Sequence, residues 1–232
     1  MAVIDFHSHI LPGIDDGSRD VATSLQMLHA AAEQGIDVMV ATPHFYAGST
    51  TPEQFLCRRE TAFLSLPEQE LSGLPKIICG AEVAYFSGIS KADDIESLCI
   101  EGTNLLLLEM PFAAWTEWNI WEIELLLNRG MQPVIAHLER FFSFQKDKHM
   151  ISKLLDLPVC VQMNAECLLS WRKRRQVLSM FQRRQAHLLG SDCHNTGSRP
   201  QNLGEGRAVL ERKLGQPVLE EMDELGAKLL HL

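Results

Sequence analysis

Asp5-Phe6-His7-Ser8-His9-Ile10-Leu11-Pro12-Gly13-Ile14-Asp15-Asp16-Gly17 follows the short apolar start Ala2-Val3-Ile4. Val3–Phe6 reads as a buried strand. His7 and His9 come after it, two residues apart, and side chains at that spacing in extended backbone point the same way. Two imidazoles can therefore aim at one point just beyond a strand end, and neutral imidazole is a common ligand for Zn, Mn and Fe. Asp15 and Asp16 add hard oxygen ligands on a loop freed by Pro12, Gly13 and Gly17. A His-x-His pair alone also suits a core or surface pair with no metal, so its meaning depends on the rest of the chain.

Further along, six more apolar runs read as strands: Asp37–Ala41, Lys76–Val83, Asn104–Met110, Gln132–His137, Val159–Asn164 and His187–Ser191. Most are apolar almost throughout, as strands covered on both faces should be. Helical patterns lie between or after them at Ser24–Gln34, Glu53–Leu64 (behind Pro52), Glu117–Asn128, Ser170–Arg184, Asn202–Leu214 and Glu220–Leu230. Gly35 and Gly130 sit where helix stops belong. The strands recur every ~25–40 residues, the size of a strand–helix unit. The expected fold class is α/β, a distorted (β/α)7 TIM-like barrel, irregular because the loops after the first two strands are long. No linker, repeat or low-complexity tract appears, so residues 1–232 are read as one domain.

Composition narrows the class. With 46% hydrophobic residues the chain can bury a sizeable core, yet it lacks an apolar run of about 18 or more, so no membrane insertion is expected. The N-terminus carries no basic region followed by an apolar stretch, which argues against a secretory signal. A formal charge of -9 argues against broad nucleic-acid binding. Six scattered cysteines (Cys57, Cys79, Cys99, Cys160, Cys167, Cys193) without Cys-x-x-Cys fit reduced thiols and a cytoplasmic location.

In such barrels the active site lies at the carboxyl ends of the strands. His7, His9 and Asp16 follow the first strand, and Thr42-Pro43-His44 the second. Gly80-Ala81-Glu82 closes the third, Glu109 the fourth, His137 the fifth and Ser191-Asp192-Cys193-His194 the seventh, while the sixth ends in Asn164. Five of the nine histidines fall at these ends; His29, His149, His187 and His231 do not and are read as ordinary residues. So many carboxylates and imidazoles on one rim would repel or lie poorly solvated unless divalent cations paired them. Nine ligands exceed one tetrahedral ion, so two or three ions are implied, with Zn, Mn and Fe all compatible.

Asp5-x-His7-x-His9, Pro43-His44, Gly80-Ala81-Glu82, Glu109, His137-x-Glu139-Arg140 and Ser191-Asp192-x-His194 together resemble the motif set of the PHP (polymerase and histidinol phosphatase) superfamily. Within it, His-Ser-His-Ile-Leu-Pro-Gly-Ile-Asp-Asp-Gly and Ala41-Thr42-Pro43-His44 are similar to the bacterial manganese-dependent protein-tyrosine phosphatases of capsule and exopolysaccharide synthesis. The resemblance thins over Val159 to Arg184 and after Gly206. It implies the PHP fold, a distorted seven-stranded barrel with a trinuclear centre. His7, His9, Glu82 and Asp192 would hold the first ion; Glu82, Glu109 and His137 the second; Asp16, His44 and His194 the third. It also implies manganese as the first metal to test, with zinc or iron as alternatives. The substrate it implies is the phosphotyrosine tail of a bacterial tyrosine autokinase controlling polysaccharide export. Asp15 is a rival to Asp16, and Asp5 is expected to orient a histidine.

The expected chemistry is metal-activated hydroxide attack on phosphorus in line with the leaving oxygen. A phenolate leaving group, with pKa about 10, needs less proton assistance than an alkoxide. Arg140 and Arg199 carry planar donor forks suited to phosphoryl oxygens, and the resemblance gives both positions phosphate-binding roles; surface ion pairing is the alternative. Cys193 to Arg199 also has Cys-x5-Arg spacing, that of thiolate phosphatases, but the glycine falls one position late and Cys193 is read as a spacer. Trp118, Trp121 and Leu125 share helical spacing and are expected in the core, while Trp115 could flank an aromatic ester. Arg172 to Arg175, with Arg183 and Arg184, form a basic helix face, solvated or open to an acidic phosphorylated tail. The enzyme rivals are a PHP phosphoesterase acting on a small monoester such as histidinol phosphate, a nuclease and an amidohydrolase. A non-catalytic metal-binding protein is the rival outside enzymes.

Overall fold

The structure is a computed structural model and describes residues 1–146 and 148–232. Its strands are β1 (Ile4–Ser8), β2 (Val38–Ala41), β3 (His44–Phe45), β4 (Lys76–Cys79), β5 (Glu82–Ala84), β6 (Leu105–Glu109), β7 (Gln132–Ile135), β8 (Cys160–Asn164) and β9 (Leu188–Gly190). Its helices are α1 (Val21–Glu33), α2 (Pro52–Leu64), α3 (Glu117–Asn128), α4 (His149–Leu155), α5 (Glu166–Leu169), α6 (Trp171–Gln182), α7 (Leu203–Leu214) and α8 (Gln216–Leu229). All pairings are parallel: β1-β2-β4 form one sheet and β3-β5-β6-β7-β8-β9 a second. The sheet curls until β1 meets the end of β9. There Asp192 N donates to His7 O (2.8 Å) and His9 N to Cys193 O (2.9 Å).

Among the described residues seven staves are present, as the spacing predicts, but two of them are broken. The run Lys76–Val83 reads as one strand, yet it splits into β4 and β5 around Gly80-Ala81. The neighbouring stave splits at the same level, between β2 and β3, at Thr42-Pro43. Proline has no N–H to give to a ladder, so pairing must lapse at Pro43. The chain bridges the gap with Gly80 N to Ala41 O (2.8 Å) and Glu82 N to Pro43 O (3.0 Å). The upper pieces, β3 and β5, pair with each other in the second sheet and deliver His44 and Glu82, which are register partners.

Two apolar layers hold the frame. Ile4, Phe6, Val38, Val40, Ile78, Leu105, Leu107, Val134, Ala136 and Leu188 fill the barrel interior, and Leu225, Leu229 and Leu230 at the C-terminal end of the chain pack against them. The second, larger layer lies between sheet and helices. Helix starts follow local chemistry. Asp20 caps α1 by accepting from Thr23 N, and Thr51 with Gln54 forms a capping box ahead of α2, with Pro52 in its first turn. Helix α1 therefore begins at Val21, ahead of the expected Ser24. Helix α8 begins at Gln216, ahead of the expected Glu220, with Pro217 in its first turn. The predicted helix Ser170–Arg184 is α6, preceded by the short α5.

Trp118 and Trp121 depart from expectation. Both are exposed, because the buried face of α3 is set by Ile120, Glu122, Ile123 and Leu126. The buried Glu122 is tolerated because Tyr85 Oη, Gly88 N (2.8 Å) and Ser90 Oγ (3.2 Å) donate to it. Among the described residues no helix is long and apolar enough to cross a membrane.

Candidate metal centre

His7 lies inside β1 rather than after it, and a bulge aims it. Between the pairs Asp5↔Met39 and Ser8↔Ala41, β1 spends one more residue than β2. Such an insertion breaks the alternation of faces. Phe6 faces the barrel interior with Ile4, Asp5 faces away toward Ser191 and Gln201, and the ring of His7 reaches the rim. Two other rim residues adopt left-handed backbone: His137 (φ 31°) and Asp192 (φ 53°). Non-glycine residues rarely stay there unless the surroundings hold them.

The nine candidate ligands gather on this rim. His7 Nε2 lies 3.3 Å from Glu82 Oε2 and 3.7 Å from Asp192 Oδ1. His9 Nε2 lies 3.4 and 3.5 Å from the same two oxygens. His137 Nε2 is 2.7 Å from Glu82 Oε1 and 3.4 Å from Glu109 Oε1. Asp16 Oδ1 is 3.3 Å from His44 Nε2 and 3.4 Å from His194 Nε2. Among the described residues, three groups have ligand atoms mutually within 4.8 Å: His9, Asp16, His44 and His194; His7, His9 and Glu82; and His44, Glu82 and Glu109. The first contains the expected third-ion set with His9 added. The second contains three of the expected first-ion residues. The last replaces His137 with His44, whose Nδ1 stands 2.8 Å from Glu82 Oε2.

Hydrogen bonds on the far sides of the rings fix which nitrogens face inward. His7 Nδ1 meets Gln162 Oε1 (3.2 Å), His9 Nδ1 meets Asp15 Oδ2 (2.7 Å) and His194 Nδ1 meets the Asp192 carbonyl (3.0 Å). Each partner is an acceptor, so each Nδ1 carries the proton and each Nε2 presents a lone pair. Yet His7 Nε2 and His9 Nε2 stand 3.1 Å apart, and His194 Nε2 is buried without a hydrogen-bond partner. Lone pairs converging on carboxylates in a buried site call for a cation, which is the fit expected of divalent metal ions.

The electrostatics agree. Burial opposes charge on His7, but Glu82 and Asp192 outweigh it and raise the imidazole's pKa; Asp15, Asp192 and Glu82 do the same, more strongly, for His9. Burial works against Glu82 and Asp192 too, but the facing histidines, with Arg140 for Asp192, hold both well below the carboxylate range. Burial, then the charge of Glu82, pushes Glu109 up to about 7. Burial, then His9 and Arg199, lowers His194 to about 4, and burial lowers His137. Carboxylates that favour a proton on the rings they face favour a divalent ion in its place.

Several residues resolve differently from one another. Asp15 is half-buried behind His9 and also accepts from Gly17 N (2.9 Å) and His44 N (3.0 Å), so it positions the loop while the exposed Asp16 faces the rings. Asp5 does not touch a ring: it accepts from His7 N (3.2 Å), Ser191 N (2.8 Å) and Gln201 Nε2 (2.8 Å). Ring orientation falls instead to Gln162, which sequence reasoning missed. A glutamine at an inward position of an otherwise apolar run was the available signal. Its Oε1 also accepts from His137 N (2.9 Å), and its Nε2 donates to Asn164 Oδ1 (2.9 Å), whose Nδ2 donates to Asp192 Oδ2 (2.8 Å).

Arg140 and Arg199 both donate to Asp192, Arg199 Nη2 at 2.7 Å from Oδ1 and Arg140 to Oδ2. Both side chains are about one-third exposed on the rim. Cys193 is fully buried; burial, then Asp5, pushes its thiol further from ionisation, which is the wrong environment for a nucleophilic thiolate. Trp115 is also buried, its Nε1 donating to Pro111 O (3.0 Å), and cannot flank a substrate. Arg172, Lys173 and Arg175 are exposed, whereas Arg174 folds back onto Leu168 O and Leu169 O.

A family model described as "Capsular polysaccharide synthesis, CpsB/CapC" matches residues 3–228. The tyrosine-protein phosphatase CpsB of Streptococcus agalactiae is 26% identical over 226 residues, covering 92% of each chain. The tyrosine-protein phosphatase YwqE of Bacillus subtilis is 28% identical over 239 residues, covering 98% of this chain and 91% of its own. A solved structure from work on YwqE of Bacillus subtilis and CpsB of Streptococcus pneumoniae, described there as "unique metal-dependent tyrosine phosphatases", superposes with a TM-score of 0.80 at 26% identity, over 99% of this chain and 94% of the other. The phosphotriesterase homology protein of Escherichia coli, 13% identical with a TM-score of 0.57 over 95% of both chains, shares the fold.

Proposed function

The chain belongs to the CpsB/CapC family of capsular polysaccharide synthesis, and from that premise we propose that it is a metal-dependent protein-tyrosine phosphatase. The observation that carries the metal dependence is the pair of Nε2 lone pairs of His7 and His9, 3.1 Å apart and facing Glu82 and Asp192. His7, His9, Asp16, His44, Glu82, Glu109, His137, Asp192 and His194 would hold two or three divalent ions, manganese being the first to test. Bound ions of this kind supply Lewis acidity and a water nucleophile usable at neutral pH.

The remaining work belongs to the protein. Arg140 and Arg199 sit on opposite oxygens of Asp192 and would turn their forks to the equatorial phosphoryl oxygens, where planar donors match developing charge. Asp192, held by Asn164 and both arginines, fixes their approach. Gln162 and Asp15 keep the imidazole lone pairs turned inward. The phenolate of phosphotyrosine, the anion of an acid with pKa about 10, departs without needing much from a general acid.

The protein partner we propose is the phosphotyrosine tail of a bacterial tyrosine autokinase that governs capsule and exopolysaccharide export, met in the cytoplasm. Phosphate release from matched phosphotyrosine and phosphoserine peptides and from histidinol phosphate tests the substrate class. Preference for the phosphotyrosine peptide supports the reading. Preference for the small monoester replaces it with a metabolic phosphoesterase.

A further inference from the structure

Metal ligands and arginines recognise a phosphoryl group; they do not tell an aryl ester from an alkyl one. Among the described residues, two exposed aromatic side chains stacked on rim histidines could. Tyr46 is 46% exposed and stacks on His44 (centroids 5.4 Å, interplanar 28°). Phe112 is 47% exposed and stacks on His137 (6.5 Å, 25°), backed by Phe141 (4.9 Å) and Phe144 (5.8 Å). His44 and His137 engage the two oxygens of Glu82, at 2.8 and 2.7 Å.

Topology gives the spacing. Tyr46 follows β3 and Phe112 follows β6, and β5 with Glu82 runs between them. Two strand spacings amount to about 9–10 Å. Two offset-stacked ring contacts, each at about 4.5–7 Å between centroids, span about 9–14 Å. On these spacings one phenyl ring would fit between the walls, its phosphoryl group turned toward ions held by the ligands around Glu82. Trp115, the aromatic residue the sequence offers for this role, is sealed beneath the loop.

We propose that Tyr46 and Phe112 form an aryl subsite that selects aromatic over alkyl phosphomonoesters by stacking on the leaving group's ring. The subsite rests on the phosphatase reading above, and its test separates the two. Wild-type protein is first assayed on phosphotyrosine and phosphoserine peptides of one sequence. Release from neither would overturn the phosphatase reading and the subsite with it.

With activity present, Tyr46→Ala and Phe112→Ala are compared for the ratio of kcat/KM on the two peptides. They are also compared for competitive inhibition by phenylphosphonate and methylphosphonate. Each substitution should lower the selectivity ratio about 3- to 10-fold, mainly through KM, and weaken phenylphosphonate alone. Phe112→Tyr should restore the ratio. Should Phe112→Ala fail to fold, Phe112→Leu keeps an apolar contact to Phe141 while removing the ring face, and the same loss of ratio is expected. An unchanged ratio, or a fall shared equally by both peptides and both phosphonates, would overturn the subsite.

Discussion

The side-chain oxygen of Gln162 stands 3.2 Å from Nδ1 of His7, so a residue of the sixth stave sets the tautomer of a residue on the first. That contact turns His7 Nε2 into an inward lone pair. Removing the acceptor lets the ring choose the other tautomer or rotate. Groups of this kind typically govern metal affinity by about 10- to 100-fold. Gln162→Leu should therefore lower affinity for manganese by that order, measured by competition with a chelator. It also strands the buried His137 N–H, at a cost of about 1–3 kcal/mol of stability. Unchanged metal affinity would remove Gln162 from the account.

Gly190 presses against the same histidine, at its Cβ and backbone nitrogen. A Cβ there would lie 2.5 Å from His7 Cβ and 2.8 Å from Gln162 Nε2. Gly190→Ala should push His7 off its position, cost about 1–3 kcal/mol in a thermal melt and lose most activity. Gly48, with open space around it, serves as the comparison: Gly48→Ala should change neither. Full activity in Gly190→Ala would mean that the ring's placement is not decisive.

The proposed ligand groups predict distinct stoichiometries. Glu82 belongs to two groups and Asp16 to one. After dialysis, metal analysis should find Glu82→Gln short of two ions and Asp16→Asn short of one, relative to wild type. Equal loss from both variants, or none, would contradict the grouping.

Much of this was legible beforehand because its signals are local. Apolar runs recurring at strand–helix intervals gave the staves. A His, Asp or Glu at the carboxyl end of six of them gave the rim. What stayed hidden needs three dimensions. The break in the third stave follows from Pro43 on its neighbour, not from its own residues. The bulge at Phe6-His7 has no marker in sequence, because it is defined by β2 opposite. Gln162 looked like one polar residue in an apolar run, although it binds elements at positions 7 and 137. Trp118 and Trp121 were misjudged because their helical spacing resembles that of the Ile120–Ile123 stripe beside them.

His187 offers a pH test away from the rim. Its Nδ1 accepts from Val161 N (3.0 Å), and burial lowers its pKa below the ordinary 6.5. Between that lowered value and 6.5 the unfolded chain binds a proton that the folded chain refuses. Its contribution to stability is therefore present above about pH 6.5 and lost as pH falls below. His187→Asn, which keeps an acceptor without titrating, should lose less melting temperature than wild type between pH 8 and pH 5. Parallel curves would contradict this.

The account stands or falls on phosphate release from a phosphotyrosine peptide by metal-stripped protein, with manganese, zinc, magnesium or nothing returned, alongside His7→Ala and Cys193→Ser. The account predicts release only with metal returned, abolished in His7→Ala and retained in Cys193→Ser. Release without metal, lost with Cys193, would contradict it and assign the chemistry to a thiolate.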